Sequence, residues 1–299
     1  MLRIGVWFND SHCSFGGPTT VLLGTILGLI QDAEITKRPI KILINTNGDV
    51  NWIMERLENH EHKMKFIQNP LIGPICFHHN DAICKSRDDH ILVKTGKKYL
   101  IASEWFKALI QNGLHLPSLQ VWSSGVDTDF FCPSTCEKSQ DYFIYFKSQN
   151  YMNLQLIHRF LFTNYFKLSG NILTYYYYTP KMLKEEAQKS RFCIFISNTE
   201  TQGLAPLEIM ACDCPMIVLD CTKYIGNGYT FDGATSVTCW DNTCGVKTSL
   251  ERLEYDFPHF LANLSTYKPR EFALKHSFAA AAHRLRDLLN PVETSSETK

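Results

Sequence analysis

Neither sign of charge prevails in this 299-residue chain: thirty lysines and arginines stand against thirty aspartates and glutamates. Such a balance offers no general attraction to a nucleic-acid backbone or an anionic membrane, so binding must come from local groups. Long apolar runs are missing too. The longest, VLLGTILGLI at 21–30, is about half the length of a membrane span and reads as a buried helix. The opening MLRIGVWFND turns polar too early for the apolar core of a secretory signal. Cysteines number eleven, yet none stand in a Cys-x-x-Cys spacing, and the closest pairs are Cys132/Cys136 and Cys212/Cys214. An odd count without zinc spacing or a signal predicts reduced, largely buried thiols and a cytoplasmic location. The chain has no internal repeat. SFGGPTT is not Gly-x-Gly-x-x-Gly, and no acid follows the second strand at the distance a ribose contact needs, which weighs against a nicotinamide oxidoreductase.

The composition is that of a well-packed soluble protein, 44% hydrophobic and 20% charged, over a length that suits two domains. Strand-like and helical stretches alternate almost throughout. RIGVWF (3–8) precedes a Gly-Gly-Pro turn and an apolar helix over 18–31. IKILIN (40–45) leads to an amphipathic stretch over 49–59, and short strands are predicted at 64–68 and 73–79. KKYLIAS (97–103) runs into the helical EWFKALIQNG, and LQVWSSG (119–125) closes the first set. This rhythm predicts βαβ units and parallel sheets. It breaks at GVDTDFFCPSTCEKSQ (125–140), read as an interdomain linker, and restarts at YFIYFK (142–147). Helices are then predicted at 151–162 and 180–189, strands at 191–197 and 215–220, and two further helical stretches between 247 and 288. The expected division is an N-terminal Rossmann-like domain over 1–132, a second over 133–275, and a C-terminal helix with a frayed tail over 276–299. Tandem domains of this kind hold a ligand in the cleft between them, beyond the carboxyl ends of the strands.

The segment SNTETQGLAPLEIMACDCP (197–215) carries the chemistry. The strand before it should end at Ser197, which leaves Glu200 on the loop at the carboxyl edge of the sheet. Pro206 lacks an amide proton and fits only a first helical turn, so the helix starts near Gly203 or Leu204. Its free amides and positive dipole end suit a diphosphate, and Gly203 lets backbone approach it closely. Glu208 sits at or just past the first turn and leans back toward the helix start, where it can accept from the two hydroxyls of a ribose. Glu200 can accept from hydroxyls of a second sugar. Phosphate flanked by two hydroxyl-binding acids describes a nucleotide-sugar. The same acids would equally serve as ordinary stabilisers of a helix start.

ETQGLAPLEIMACDCPMIV resembles the Glu-x7-Glu segment of retaining glycosyltransferases with two facing Rossmann-like domains, the GT-B architecture of family 4 and its relatives. Three more stretches resemble that family in the same order. FGGPTTVLLGTILGL (15–29) is similar to its glycine loop and first helix, and ASEWFKALI (102–110) with VWSSGVDTDFFCP (121–133) to its last N-terminal strands and hinge. The end, from ATSVTCWDNTCG to YKPREFALKHSF, looks like a poorly characterised branch. The resemblance implies an α/β fold of two facing parallel-sheet domains, the first on the acceptor side and the second on the donor side. It implies that Glu200 contacts the donor sugar and Glu208 the ribose. Gly203 and Leu204 would offer amides, Gly16 and Gly17 would bring a loop against the diphosphate, and Lys147 would bind phosphate. His78 or His79, after the strand at 73–77, would touch the sugar, strand alternation allowing one of the two to face the cleft. The implied catalytic set is Glu200, Lys147 and His79.

The chain departs from the family in its basic residues: the usual Gly-Arg and Lys-Gly are missing around YFKSQN, leaving Lys147. Asp213 replaces a common glycine and tolerates the left-handed turn. Asp127-Thr128-Asp129 has the form of a metal motif but lies where the family has a hinge turn. Ser103-Glu104 reads as a helix N-cap or an acceptor contact, and Tyr175–Tyr178 as an aromatic strand or a sugar-stacking run. Lys181, Lys184, Lys189 and Arg191 read as a solvated basic face, and His12 and His115 carry no signal. The expectation is a retaining glycosyltransferase that uses a nucleotide-sugar donor and a carbohydrate or other hydroxyl acceptor. It is expected to need no metal and no further cofactor, and to bind no nucleic acid. A sugar- or nucleotide-binding protein of the same fold and a nucleotide-sugar epimerase are the rival readings.

Overall fold

The structure, a computed structural model, describes residues 1–8, 17–54, 67, 70–75, 98–113, 118–148, 150–226 and 229–289. It divides into two compact units, Met1–Gly125 together with Ser277–Lys299, and Val126–His276. The elements run β1 (Leu2–Trp7), α1 (Gly17–Thr36), β2 (Ile40–Ile44), β3 (Val50–Ile53), β4 (Pro70–Ile75), β5 (Lys98–Ile101), α2 (Glu104–Gly113) and β6 (Leu119–Val121). The second unit continues with β7 (Gln140–Lys147), α3 (Tyr151–Asn164), β8 (Gly170–Thr174), α4 (Pro180–Lys189), β9 (Ser190–Ser197) and α5 (Leu204–Ala211). Then come β10 (Met216–Leu219), β11 (Lys223–Gly226), β12 (Tyr229–Asp232), β13 (Gly245–Thr248), α6 (Leu253–Ala262) and α7 (Pro269–Leu274), and the chain returns to the first unit as α8 (Phe278–Leu289).

In the first unit six parallel strands lie in the order β2-β1-β3-β4-β5-β6. Strands covered on both faces read as continuous apolar runs, and Ile4, Val6, Leu100 and Ile101 are all fully buried. The amphipathic stretch expected at 49–59 begins as strand β3 instead. Asn51, Trp52 and Ile53 are buried against β1 and β4, and Trp52 Nε1 donates to the Gly73 carbonyl at 2.9 Å. Burial of a large aromatic on both neighbours outweighs helical periodicity there. Of the strand candidates at 64–68 and 73–79, only Ile67 and the 73–75 end of β4 lie among the described residues.

The last helix, α8, packs on α1. A Cβ on Gly24 or Gly28 would collide with Phe278, so these two glycines let α8 approach closely. Trp122 Nε1 donates to the Ala281 carbonyl at 2.8 Å. Arg286 Nη1 lies 2.6 Å from Asp32 Oδ2, with both side chains buried, while His283 Nδ1 lies 2.8 Å from Asp32 Oδ1. The Asp32–Arg286 pair is close but poorly aligned for a hydrogen bond, so its attraction is coulombic.

The second unit has five parallel strands ordered β13-β10-β9-β7-β8 and a separate β11–β12 hairpin that the strand rhythm does not announce. Alternate residues of one strand serve opposite faces. Phe143, Tyr145, Cys193, Phe195 and Val218 pack with Leu183 of α4 and Leu207 and Met210 of α5. Ile144, Phe146, Phe192, Ile194 and Ile217 pack on the other face with Ile157 of α3 and Phe257 and Phe260 of α6. Helix α4 has its Pro180 at the start and Thr179 Oγ1 accepting from the Met182 amide at 3.3 Å. Among the described cysteines all are free thiols, and Cys193, Cys212, Cys214 and Cys244 are buried. Burial pushes Cys212 and Cys214 up to about 12.

The Asp127-Thr128-Asp129 segment forms a turn. Asp127 Oδ1 accepts from the amides of Asp129 at 3.1 Å and Phe130 at 2.8 Å, and Arg270 donates to the carbonyls of Thr128 and Phe131. Among the described residues no group of three or more His, Cys, Asp or Glu could hold a metal ion, and no helix is long and apolar enough to cross a membrane.

Candidate functional site

Strands β7 and β9 run parallel and end together, with Lys147 in register with Ser197. Their carboxyl ends open onto the loop 198–203. Glu200 Oε1 there lies 2.7 Å from Lys147 Nζ and accepts from Ser197 Oγ at 2.9 Å. The Lys147 ammonium also sits 4.4 Å from the centre of the Tyr175 ring, a cation–π distance. Glu200 is 13% exposed and Lys147 31%, so the pair stands at the rim of the core rather than free in solvent.

Gly203 heads α5 with φ 67° and ψ 78°, and no side chain caps that helix. A Cβ at 203 would meet Glu200 Cβ at 3.5 Å, an ordinary contact, so the left-handed backbone rather than space demands glycine. Gly203 offers no capping side chain and Pro206 has no amide proton, so the amides of Leu204 and Ala205 are the donors that the helix start presents. Glu208 follows just past the first turn. Its carboxylate has no hydrogen-bond or ion-pair partner among the described residues, and burial pushes it up to about 7 although part of the side chain still reaches the surface. Tyr145 and Tyr178 share a 3.1 Å hydrogen bond between their hydroxyls and feel both Glu200 and Glu208. Burial is the main cause that holds both phenols well above the usual tyrosine range; the hydrogen bond raises Tyr145 further and offsets part of the rise at Tyr178, and the two acids add to both.

The loop is held from behind. The Glu200 amide donates to the Thr235 carbonyl at 2.9 Å, Ser236 Oγ donates to the Ser197 carbonyl at 3.1 Å, and Thr238 Oγ1 donates to the Gln202 carbonyl. The 235–238 segment is in turn fixed by Asp220 Oδ1, which accepts from Thr235 Oγ1 at 2.9 Å and the Ser236 amide at 2.7 Å. Lys247 Nζ completes the set, donating to Thr235 Oγ1 at 2.6 Å and the Val237 carbonyl at 3.0 Å.

No protein-family model and no curated protein matches the sequence. Solved structures match the fold. The apo form of the lipopolysaccharide outer core galactosyltransferase WaaB gives a TM-score of 0.58 at 12% identity, over 96% of this chain and 98% of that one. Sucrose-phosphate synthase from Thermosynechococcus elongatus gives 0.54 at 9% identity, over 96% and 98%. An S. aureus TarM mutant in complex with fondaparinux, α-GlcNAc-glycerol and UDP gives 0.55 at 11% identity, over 90% of this chain and 59% of that one. The fold is GT-B. At these identities the likeness is one of architecture.

Within the GT-B fold the structure brings Lys147, Glu200, Gly203, Leu204 and Glu208 to one loop-and-helix corner of the second unit. Gly17 opens α1 in the first unit, while Gly16, His78 and His79 lie outside the described residues, as do His12 and His115. The aromatic strand expected at Tyr175–Tyr178 is a turn beyond β8, with Tyr176 in a left-handed conformation at φ 71°. The strand ends because its pairing with β7 ends at Phe146–Thr174. The turn carries Tyr175 onto Lys147, a contact the sequence reading missed. Ser103 Oγ accepts no capping bond: the hydroxyl is buried and unpartnered, while the Ser103 carbonyl accepts from the Lys107 amide at 3.0 Å. The basic face is partly paired, through Lys181–Glu185, Lys189–Glu186 and Arg191–Asp141. Asp220, Thr235 and Lys247 also escaped the sequence reading, since nothing in their spacing points to the 198–203 loop.

Proposed function

We propose that this chain is a retaining, metal-independent glycosyltransferase that moves a sugar from a nucleotide-sugar to a hydroxyl acceptor. The observation that carries the reading is the uncapped start of α5 between two acids, with Lys147 against the first and no partner on the second. The TarM mutant is described in complex with UDP and WaaB as a galactosyltransferase, which supports a nucleotide-sugar of that kind here. The α5 amides and Lys147 take the diphosphate, Glu200 takes sugar hydroxyls, and Glu208 accepts from the ribose diol. In the transfer the C1–O bond to the diphosphate breaks as a C1–O bond to the acceptor forms on the same face. The acceptor proton passes to the departing phosphate oxygen. Lys147 and the helix dipole stabilise the charge that develops there, so no metal is called upon; the protein works in the cytoplasm and needs no cofactor beside its donor and acceptor substrates.

A thermal-shift panel of nucleotide-sugars against wild type and Glu208→Ala tests the donor site. One preferred donor should stabilise wild type, with the shift falling in the variant; equal shifts in both would remove the ribose assignment. Turnover in EDTA and the anomeric configuration of the product test the two finer statements. The pairing of Lys147 with Glu200 favours one second reading, a binding protein of the same fold that has lost transfer. Donor affinity without hydrolysis or transfer would select it.

A further inference from the structure

We infer that the Lys147–Glu200 ion pair makes the site hold an intact nucleotide-sugar and shed the nucleoside diphosphate left after transfer, an inference that rests on the donor-site reading above. The cation meant for phosphate and the acid meant for sugar neutralise each other in the free protein, 2.7 Å apart. Lys147 has two partners among the described residues, Glu200 and the Tyr175 ring, whose centre lies 4.4 Å from the ammonium.

Glu200 is not free to turn out when a ligand arrives. Its carboxylate accepts from Ser197 Oγ, its amide is tied to Thr235, and little of the side chain is exposed. A diphosphate drawn to Lys147 therefore comes to rest beside a fixed carboxylate and competes with it for the same ammonium protons. Like charges at close range in a partly desolvated site repel, and an acid that shares its cation with a second anion loses part of that attraction. An intact donor avoids this. Its sugar hydroxyls donate to Glu200 while its phosphates take Lys147, so each charged group keeps a partner. Once the sugar has left, those donors are gone, and re-forming the ion pair opposes the diphosphate that remains. Tyr175 is a positioning residue in this scheme, because it fixes where the ammonium stands between its two claimants.

The test is calorimetric titration of UDP-glucose, UDP-N-acetylglucosamine, GDP-mannose and ADP-glucose, each beside its own nucleoside diphosphate. Wild type should bind its best donor about tenfold or more tightly than the matching diphosphate, the scale of one net charge-assisted hydrogen bond. In Glu200→Gln the ratio should shrink to within about threefold, chiefly because the diphosphate binds more tightly. An unchanged ratio in that variant, or a wild-type diphosphate bound as tightly as the donor, overturns the inference while leaving the donor site standing. If Glu200→Gln does not fold, judged by its melting transition, the wild-type ratio decides alone. Binding of none of the four donors overturns the donor-site reading, and the inference with it.

Discussion

Glu208 shows how one side chain can be tuned by its surroundings without any charged neighbour. Its rise from 4.5 to about 7 has burial as its cause, so the folded protein holds a proton that the unfolded chain releases. The contribution of the neutral acid is therefore intact below about pH 4.5 and is lost as pH rises through about 7. Glu208→Gln, which cannot ionise, should gain in melting temperature relative to wild type as the pH of the scan is raised from 4.5 to 8. A constant difference would mean that the acid is solvated. A ribose diol stabilises the ionised form, so donor binding near pH 7 should release a proton, read as a buffer-dependent enthalpy in calorimetry. Gly203 is the other residue whose role can be isolated. Gly203→Ala meets no steric obstacle beyond its positive φ and should cost about 1 kcal/mol in urea unfolding.

At the scale of elements, the working surface is the loop between β9 and α5, and a second segment holds it. Asp220 stands just after β10, accepts from two groups of the 235–238 segment, and faces Lys247 of β13 at 3.5 Å. Asp220→Ala should cost about 1–3 kcal/mol, the range for a lost hydrogen bond to a charged group, and should weaken donor binding without touching the donor. An unaltered donor-induced thermal shift in a destabilised variant would show that the loop keeps its shape unaided. The uncapped start of α5 belongs to the same scale. Its neighbour α4 begins with a Thr179 cap, whereas α5 begins at a glycine that offers no side chain and leaves its amides for a ligand.

Across the whole molecule, the return of α8 to the first unit means that the two units are not consecutive pieces of chain. The first unit needs residues from both ends. Arg286→Ala would leave Asp32 buried without its guanidinium, a change that typically costs about 3–5 kcal/mol. Denaturant unfolding followed by Trp52 and Trp122 fluorescence should move to lower concentration, while tyrosine-rich second-unit signals stay in place. A chain cut after 276 should lose the first unit's transition more completely. A shared shift of both signals would show that the units unfold as one.

The alternating α/β order, the parallel strands and the Ser197-to-Ala211 corner are legible in the sequence, because strand periodicity, a proline at a helix start and two spaced acids are local signals. The same signals put Glu200 on its loop, Gly203 at the start of its helix and Glu208 within that helix. That Lys147 faces Glu200, that Tyr175 turns onto that lysine, and that Asp220, Thr235 and Lys247 brace the loop emerges with the folded chain. Those contacts join strands distant in the chain, and no local spacing encodes which strand ends lie side by side. The same reason explains why Val50–Ile53 is a strand and why α8 belongs with α1: burial against remote partners, Trp52 in one case and Phe278 with Arg286 in the other, overrides what the nearby residues prefer.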